Sequence, residues 1–249
     1  MRQILITSPV HQDENIFKEY LWSLDRLIIP EGYEVHKFFY LHNCENLKSF
    51  LNEDEYMCLN DDTSFITSDV THIWKEENFS AVATMRTLAL EKARKEKYDY
   101  IFSVDSDVLL NPMTLKLLIN DRKDIVGNIY WTDFNNKGIL MPNCYDYENC
   151  QFSANQGGMD RLKIMGVYDI GVVGACTLIG KRVIYNPLIT YYPIKNITHT
   201  KWEDFAFITR ARCLIPDLSV CIDTRHPARH LYRQSDYELW MKDKTEYYD

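Results

Sequence analysis

Residues 98–112 read YDYIFSVDSDVLLNP, and the way this stretch is read decides the fold. The run YIFSV is short, apolar and rich in strand formers, as expected of a buried strand. It ends in Asp105 and Asp107, one residue apart. Asn111 and Pro112 then suit an N-cap and a first-turn proline for a helix over 113–120. In extended backbone, residues i and i+2 point to the same side. Two carboxylates placed so repel each other unless a cation or hydrogen-bond donors lie between them. Mg2+ and Mn2+ typically take one or two carboxylates together with phosphate oxygens. The strand end therefore suggests a metal-bridged diphosphate, with a solvated turn as the competing reading of an isolated Asp-x-Asp.

Working outward, QILITS (3–8) reads as a first strand ended by Pro9. Residues 14–27 carry apolar side chains at helical spacing, and EVHKFFYL (34–41) reads as a second strand. A helix over 80–97 leads into the 100–104 strand, and DIVGNIY (124–130) is a further strand. The polar stretch 132–160 reads as a long functional loop. Beyond it, GVVGACTLIG (171–180) is apolar with three glycines, WEDFAFITRARCL (202–214) is helical and LSVCID (218–223) is a strand. This alternation predicts an α/β domain spanning 1–249, with a mostly parallel central sheet flanked by helices.

The bulk numbers bound the function. With 249 residues and 46% hydrophobic content, a sizeable core is available. Acidic residues outnumber basic ones 36 to 28, which argues against nucleic acid as the main partner. No run approaches the ~20 apolar residues of a membrane span. The seven cysteines form no CxxC pair and suggest reduced thiols. The N-terminus does not read as a signal peptide, so a cytoplasmic location is expected. Composition does not address oligomeric state.

The segment 78–112, NFSAVATMRTLALEKARKEKYDYIFSVDSDVLLNP, resembles the signature of glycosyltransferases with the type-A, Rossmann-like fold, family 2 in particular. The resemblance continues in order at VGACTLIGKRVI (173–184), WEDFAFITRAR (202–212) and CIDTRHPARHLY (221–232). It implies a nucleotide-sugar-binding half (1–112) and an acceptor half (113–249). It also implies a divalent ion, Mn2+ or Mg2+, held by Asp105, Asp107 and a late histidine, His230 or His226. The donor, a UDP- or GDP-linked sugar, would meet Pro9, Val10, Asp13, Asn43, Arg86, Asp105, Ser106, Gly174 and Ala175. Asp204 would be the general base, with Glu203 as the alternative.

Each residue also has a plainer reading. Thr200 and Glu203 fit a capping box, which would leave Asp204 as the freer carboxylate. Either histidine could be a surface side chain. Arg225, Arg229 and Arg233 form a local basic cluster that could receive phosphates or simply pair with acids. Trp74, Trp131 and Trp202 could stack on a sugar or belong to the core. The expected chemistry is an inverting, metal-dependent hexosyl transfer to an acceptor hydroxyl. The alternatives are a retaining transferase and an inactive sugar-nucleotide-binding or scaffold protein.

Overall fold

The computed structural model describes residues 1–65, 74–134, 136–146 and 156–248. The first half runs β1 (Arg2–Val10), α1 (Glu14–Leu24), β2 (Tyr33–His42), β3 (Tyr56–Leu59), α2 (Glu76–Glu96), β4 (Tyr100–Val104), β5 (Val108–Leu109) and α3 (Thr114–Asn120). The second runs β6 (Ile125–Thr132), β7 (Met141–Pro142), β8 (Cys144–Tyr145), α4 (Gln156–Leu162), β9 (Val167–Asp169), β10 (Val172–Val173), β11 (Cys176–Gly180), α5 (Lys181–Ile184), α6 (Glu203–Leu214), β12 (Val220–His230) and α7 (Gln234–Tyr248).

One sheet runs through the described residues in the order β3-β2-β1-β4-β11-β6-β12-β5, with β7 added to β6 and β9 to β12. The β1, β2, β3 and β4 pairings are parallel, as is β6 with β12. β11 runs antiparallel between β4 and β6. The sheet is therefore mixed around a parallel frame, and one continuous ladder joins the two halves of the chain.

The apolar strand residues divide between two faces. On one, Phe17 and Tyr20 of α1 pack on Phe39 and Phe102. On the other, Ala83, Leu90 and Ala93 of α2 join Leu5, Ile101 and Phe207. Burying one such large side chain contributes roughly 2 kcal/mol. Ala83 and Ala93 pack α2 against the sheet.

Several sequence expectations need correction. Pro9 lies inside β1, opposite Tyr40, rather than ending it. Pairing of β1 with β4 stops at Thr7, so Pro9 has a strand neighbour on one side only, where a missing amide is tolerated. Asn111 does not cap α3 from the N-cap position. Its Oδ1 accepts from the Met113 amide at 2.9 Å and forms the turn before the helix. The 132–160 segment contains β7, β8 and α4; position 135 and positions 147–155 within it, including Cys150, lie outside the described residues. β12 continues to His230 through a register shift between Asp223 and Ala228 instead of stopping at 223. The six described cysteines are free thiols, and no described helix is long and apolar enough to cross a membrane.

Candidate functional site

In the strand order, β1 separates β2 from β4, so the connections leave its two sides in opposite directions. Such a switch point opens a crevice beyond the carboxyl ends of the strands. A cleft of about 950 Å³ lies there, lined by Pro9, Asp13, Asp105, Ser106 and Asp107 from these strand ends. Arg86, Gly174, Ala175, Glu203, Asp204 and His230 complete its centre. Segments far apart in sequence are thus collected by the sheet.

Arg86 is the hub. It projects from α2 with 4% of its surface exposed. Its guanidinium donates to Asp105 Oδ1 at 2.8 Å and to Asp204 Oδ1 at 2.9 Å. Glu203 Oε1 lies 3.8 Å away. A planar fork of donors suits this bridging role, which a point-charge ammonium could not fill.

Three carboxylates around one guanidinium leave excess negative charge. Burial pushes the Asp105 carboxyl up to about 7, opposed by Arg86 and reinforced by Asp107 and Asp204. Burial and the Asp204 charge push Glu203 up to about 8. Asp204 is also raised, by burial, with Arg86 pulling the other way. Glu203 is the most enclosed, with 11% of its side chain open against 24% for Asp204 and 31% for Asp105.

Glu203 does not form the capping box. Thr200 turns its hydroxyl to the carbonyls of Ile194 and Ile197, and α6 starts at Glu203 with Trp202 as its N-cap residue. Freed from the cap, Glu203 faces Arg86. Asp204 packs against Gly174 so tightly that a Cβ added there would lie 1.8 Å from Oδ2. The next residue, Ala175, adopts the left-handed conformation (φ 65°), and its carbonyl accepts from the Asp105 amide at 2.7 Å. The small-residue turn between β10 and β11 thus positions both carboxylates.

His230 reaches the acidic doublet by strand pairing. It stands opposite Val108 in the β12–β5 ladder, and the Leu231 amide donates to the Asp107 carbonyl at 2.8 Å. Its Nε2 lies 3.4 Å from Asp107 Oδ2. Its Nδ1 shares a 2.7 Å hydrogen bond with Thr132 Oγ1, and Tyr130 and Tyr232 flank the ring.

Other sequence candidates are placed elsewhere. His226 does not line the cleft; it lies in the irregular part of β12, where its carbonyl accepts from Asn128. Asn43 does not line it either. Its side chain bonds the Thr63 carbonyl and the Asp61 amide, tying β2 to the segment after β3. Val10 is fully buried in the core. Asp13 is at the rim, but its carboxylate caps α1 by accepting from Asn15. Arg225 pairs with Asp121 and Asp223 rather than facing the cleft. Trp74 and Trp202 reach the cleft, whereas Trp131 packs beside the core. Sequence reasoning missed His11, which follows β1 directly and stacks on Phe65 at 4.5 Å, and it missed Thr132.

Whether this site suits a divalent ion can be judged from its donors. Among the described residues, no three His, Cys, Asp or Glu side chains already converge on one point. Asp107 and His230 approach as a pair, beside the Asp105 carboxyl, which shares the Arg86 guanidinium with Asp204. An oxygen-rich, partly open donor set of this kind fits Mg2+ or Mn2+ sharing its remaining positions with phosphate and water.

Comparison with known proteins gives a consistent family. Residues 35–225 match the family model described as glycosyltransferase family 25, N-terminal domain. The procollagen galactosyltransferase 2 of Mus musculus is 26% identical over 215 residues, covering 77% of this chain and 33% of that protein. The procollagen-lysine,2-oxoglutarate 5-dioxygenase 2 of Mus musculus is 33% identical over 114 residues, covering 43% of this chain and 14% of that protein. The chain thus spans a third or less of the length of these relatives. In structure, it resembles the 4-diphosphocytidyl-2C-methyl-D-erythritol synthase of Anaerococcus prevotii DSM 20548 with a TM-score of 0.51 and 8% identity, over 98% of this chain and 96% of that one. That likeness concerns the fold.

Proposed function

The chain belongs to the glycosyltransferase family 25 N-terminal domain family, and from that premise we propose that it transfers a sugar from a nucleotide-sugar donor to an acceptor hydroxyl, with a divalent ion and with inversion at the anomeric carbon. The motif order resembles family 2 most, and the family matched is 25. The single observation that carries the proposal is the Arg86 bridge, which ties the strand-end doublet to a carboxylate on α6 across the cleft.

In this reading the 1–112 half binds the donor and the 113–249 half shapes the acceptor site. The nucleotide lies along Pro9, His11 and Asp13, with its diphosphate toward Asp105 and Asp107. Asp107 and His230, with Asp105, are the residues that would hold Mn2+ or Mg2+. When bound, the ion neutralises charge building on the departing diphosphate. Gly174 admits the Asp204 carboxylate to the reacting centre. Asp204 accepts the proton of the attacking hydroxyl; its raised basicity brings it nearer working pH, as a general base requires. Arg86 holds Asp204 and Asp105 in register, and such prior positioning accounts for much of the rate. Glu203, the most enclosed of the three carboxylates around Arg86 and raised by burial and the Asp204 charge, stabilises the cluster rather than serving as the base.

The mouse relative's name, a procollagen galactosyltransferase, makes a galactosyl donor the first to test. The test is release of nucleoside diphosphate from UDP- and GDP-linked hexoses with and without Mn2+. Turnover that needs Mn2+ and is lost in Asp107→Ala and Asp204→Asn supports the proposal. Tight binding of the nucleotide sugar without turnover would instead mark a binding protein.

A further inference from the structure

The proposed donor and carboxylate centre does not use all of the cleft's lining: Phe134, Tyr145, Trp202 and Tyr232 also line it, with Asp133 and Gln234. Trp202 stands out because it is large, 38% exposed, and lies two residues before Asp204 in the chain. Its backbone is fixed as the N-cap of α6, where its carbonyl accepts from the Ala206 amide at 3.0 Å. Its ring rests on Phe205, with centroids 5.4 Å apart, and Phe205 in turn meets the Tyr145 ring at 4.7 Å. A rigid aromatic surface therefore stays open to the cleft beside the proposed base.

On the reading of the site given above, we infer that Trp202 is a stacking platform for a pyranose ring, so the acceptor is a saccharide. A pyranose presents an apolar face of C–H bonds to the electron-rich face of an indole, while its hydroxyls seek polar groups at the edges. The cleft lining supplies such rings and, in Asp133 and Gln234, polar groups. The Lys201 ammonium, 5.3 Å from the Trp202 ring centroid, is a donor beside that ring for a sugar's hydroxyl oxygens.

The test is saturation-transfer NMR on the whole chain with UDP and Mn2+. The probes are methyl α- and β-glycosides of glucose, galactose and mannose, and a lysine-rich peptide containing serine. At least one glycoside shows saturation at its ring C–H protons. Trp202→Ala weakens that binding about tenfold, while Trp202→Phe retains most of it. Melting curves of both variants, with an exposed side chain replaced, check that they fold. Saturation of no glycoside, equal saturation in Trp202→Ala, or saturation confined to the peptide overturns the inference. The binding readout is independent of turnover. Loss of nucleotide-sugar hydrolysis in the wild type would sink the catalytic proposal, and an unchanged Trp202→Ala would sink only this one.

Discussion

Gly174 and Asp204, thirty positions apart in the chain, pack so closely that the glycine's missing side chain is what admits the carboxylate. A methyl group at 174 would overlap Asp204 Oδ2, so Gly174→Ala must move Asp204 away from Arg86. A displacement of about 1 Å at a reacting group costs on the order of 100-fold in rate. We expect kcat to fall by that order with the fold intact, measured by steady-state turnover alongside thermal melting.

Arg86 neutralises a buried acidic cluster, and its removal leaves Asp105, Glu203 and Asp204 facing one another. Breaking a buried ionic cluster at one partner costs about 3–5 kcal/mol. Arg86→Ala should therefore lower the melting temperature by roughly 10 °C, given about 2–4 °C per kcal/mol in a chain of this size. Arg86→Lys restores the charge without the planar fork and should recover only part of the loss.

The pH dependence follows from Glu203. Its carboxyl is raised from 4.5 to about 8 by burial and by the Asp204 charge. Between those values the folded state holds a proton that the unfolded state has released, so stability falls as pH rises through the window. Glu203→Gln removes this contribution. Its melting temperature should change less between pH 5 and 8 than that of the wild type, and a variant with an unchanged slope would refute the assignment.

Thr132 orients His230 by bonding Nδ1 and leaving Nε2 toward Asp107. Partners of this kind typically alter metal affinity 10–100-fold. Thr132→Val should weaken Mn2+ binding by that factor in calorimetry, and Thr132→Ser should retain it.

Much of the fold was legible because its signals are local. The strand ending in Asp105 and Asp107, the α2 period and the apolar 171–180 run each state their structure within a short window. The Asp105–Arg86–Asp204 constellation could be anticipated in its members through family resemblance, but not in its geometry, since Arg86 and Asp204 meet only when the sheet places α2 beside α6. The misread positions have physical causes. Glu203 satisfied the spacing of a capping box, yet Thr200 found carbonyl partners in the preceding loop. Asn43 is a candidate through its likeness to the family's polar loop after the second strand, and its side chain ties that loop to Thr63 and Asp61. The family resemblance favours His230 over His226; the register shift in β12 and its pairing with β5 place the two apart.

In the proposed function Asp105 and Asp107 receive a divalent ion together with a diphosphate. Titration calorimetry of UDP and GDP, with and without Mn2+, on wild type and Asp107→Ala tests it most directly. At least one nucleotide is expected to bind in the presence of the ion, to bind at least tenfold more weakly without it, and to lose that ion dependence in the variant. Binding that is equally strong without the ion, or unchanged in Asp107→Ala, would contradict it.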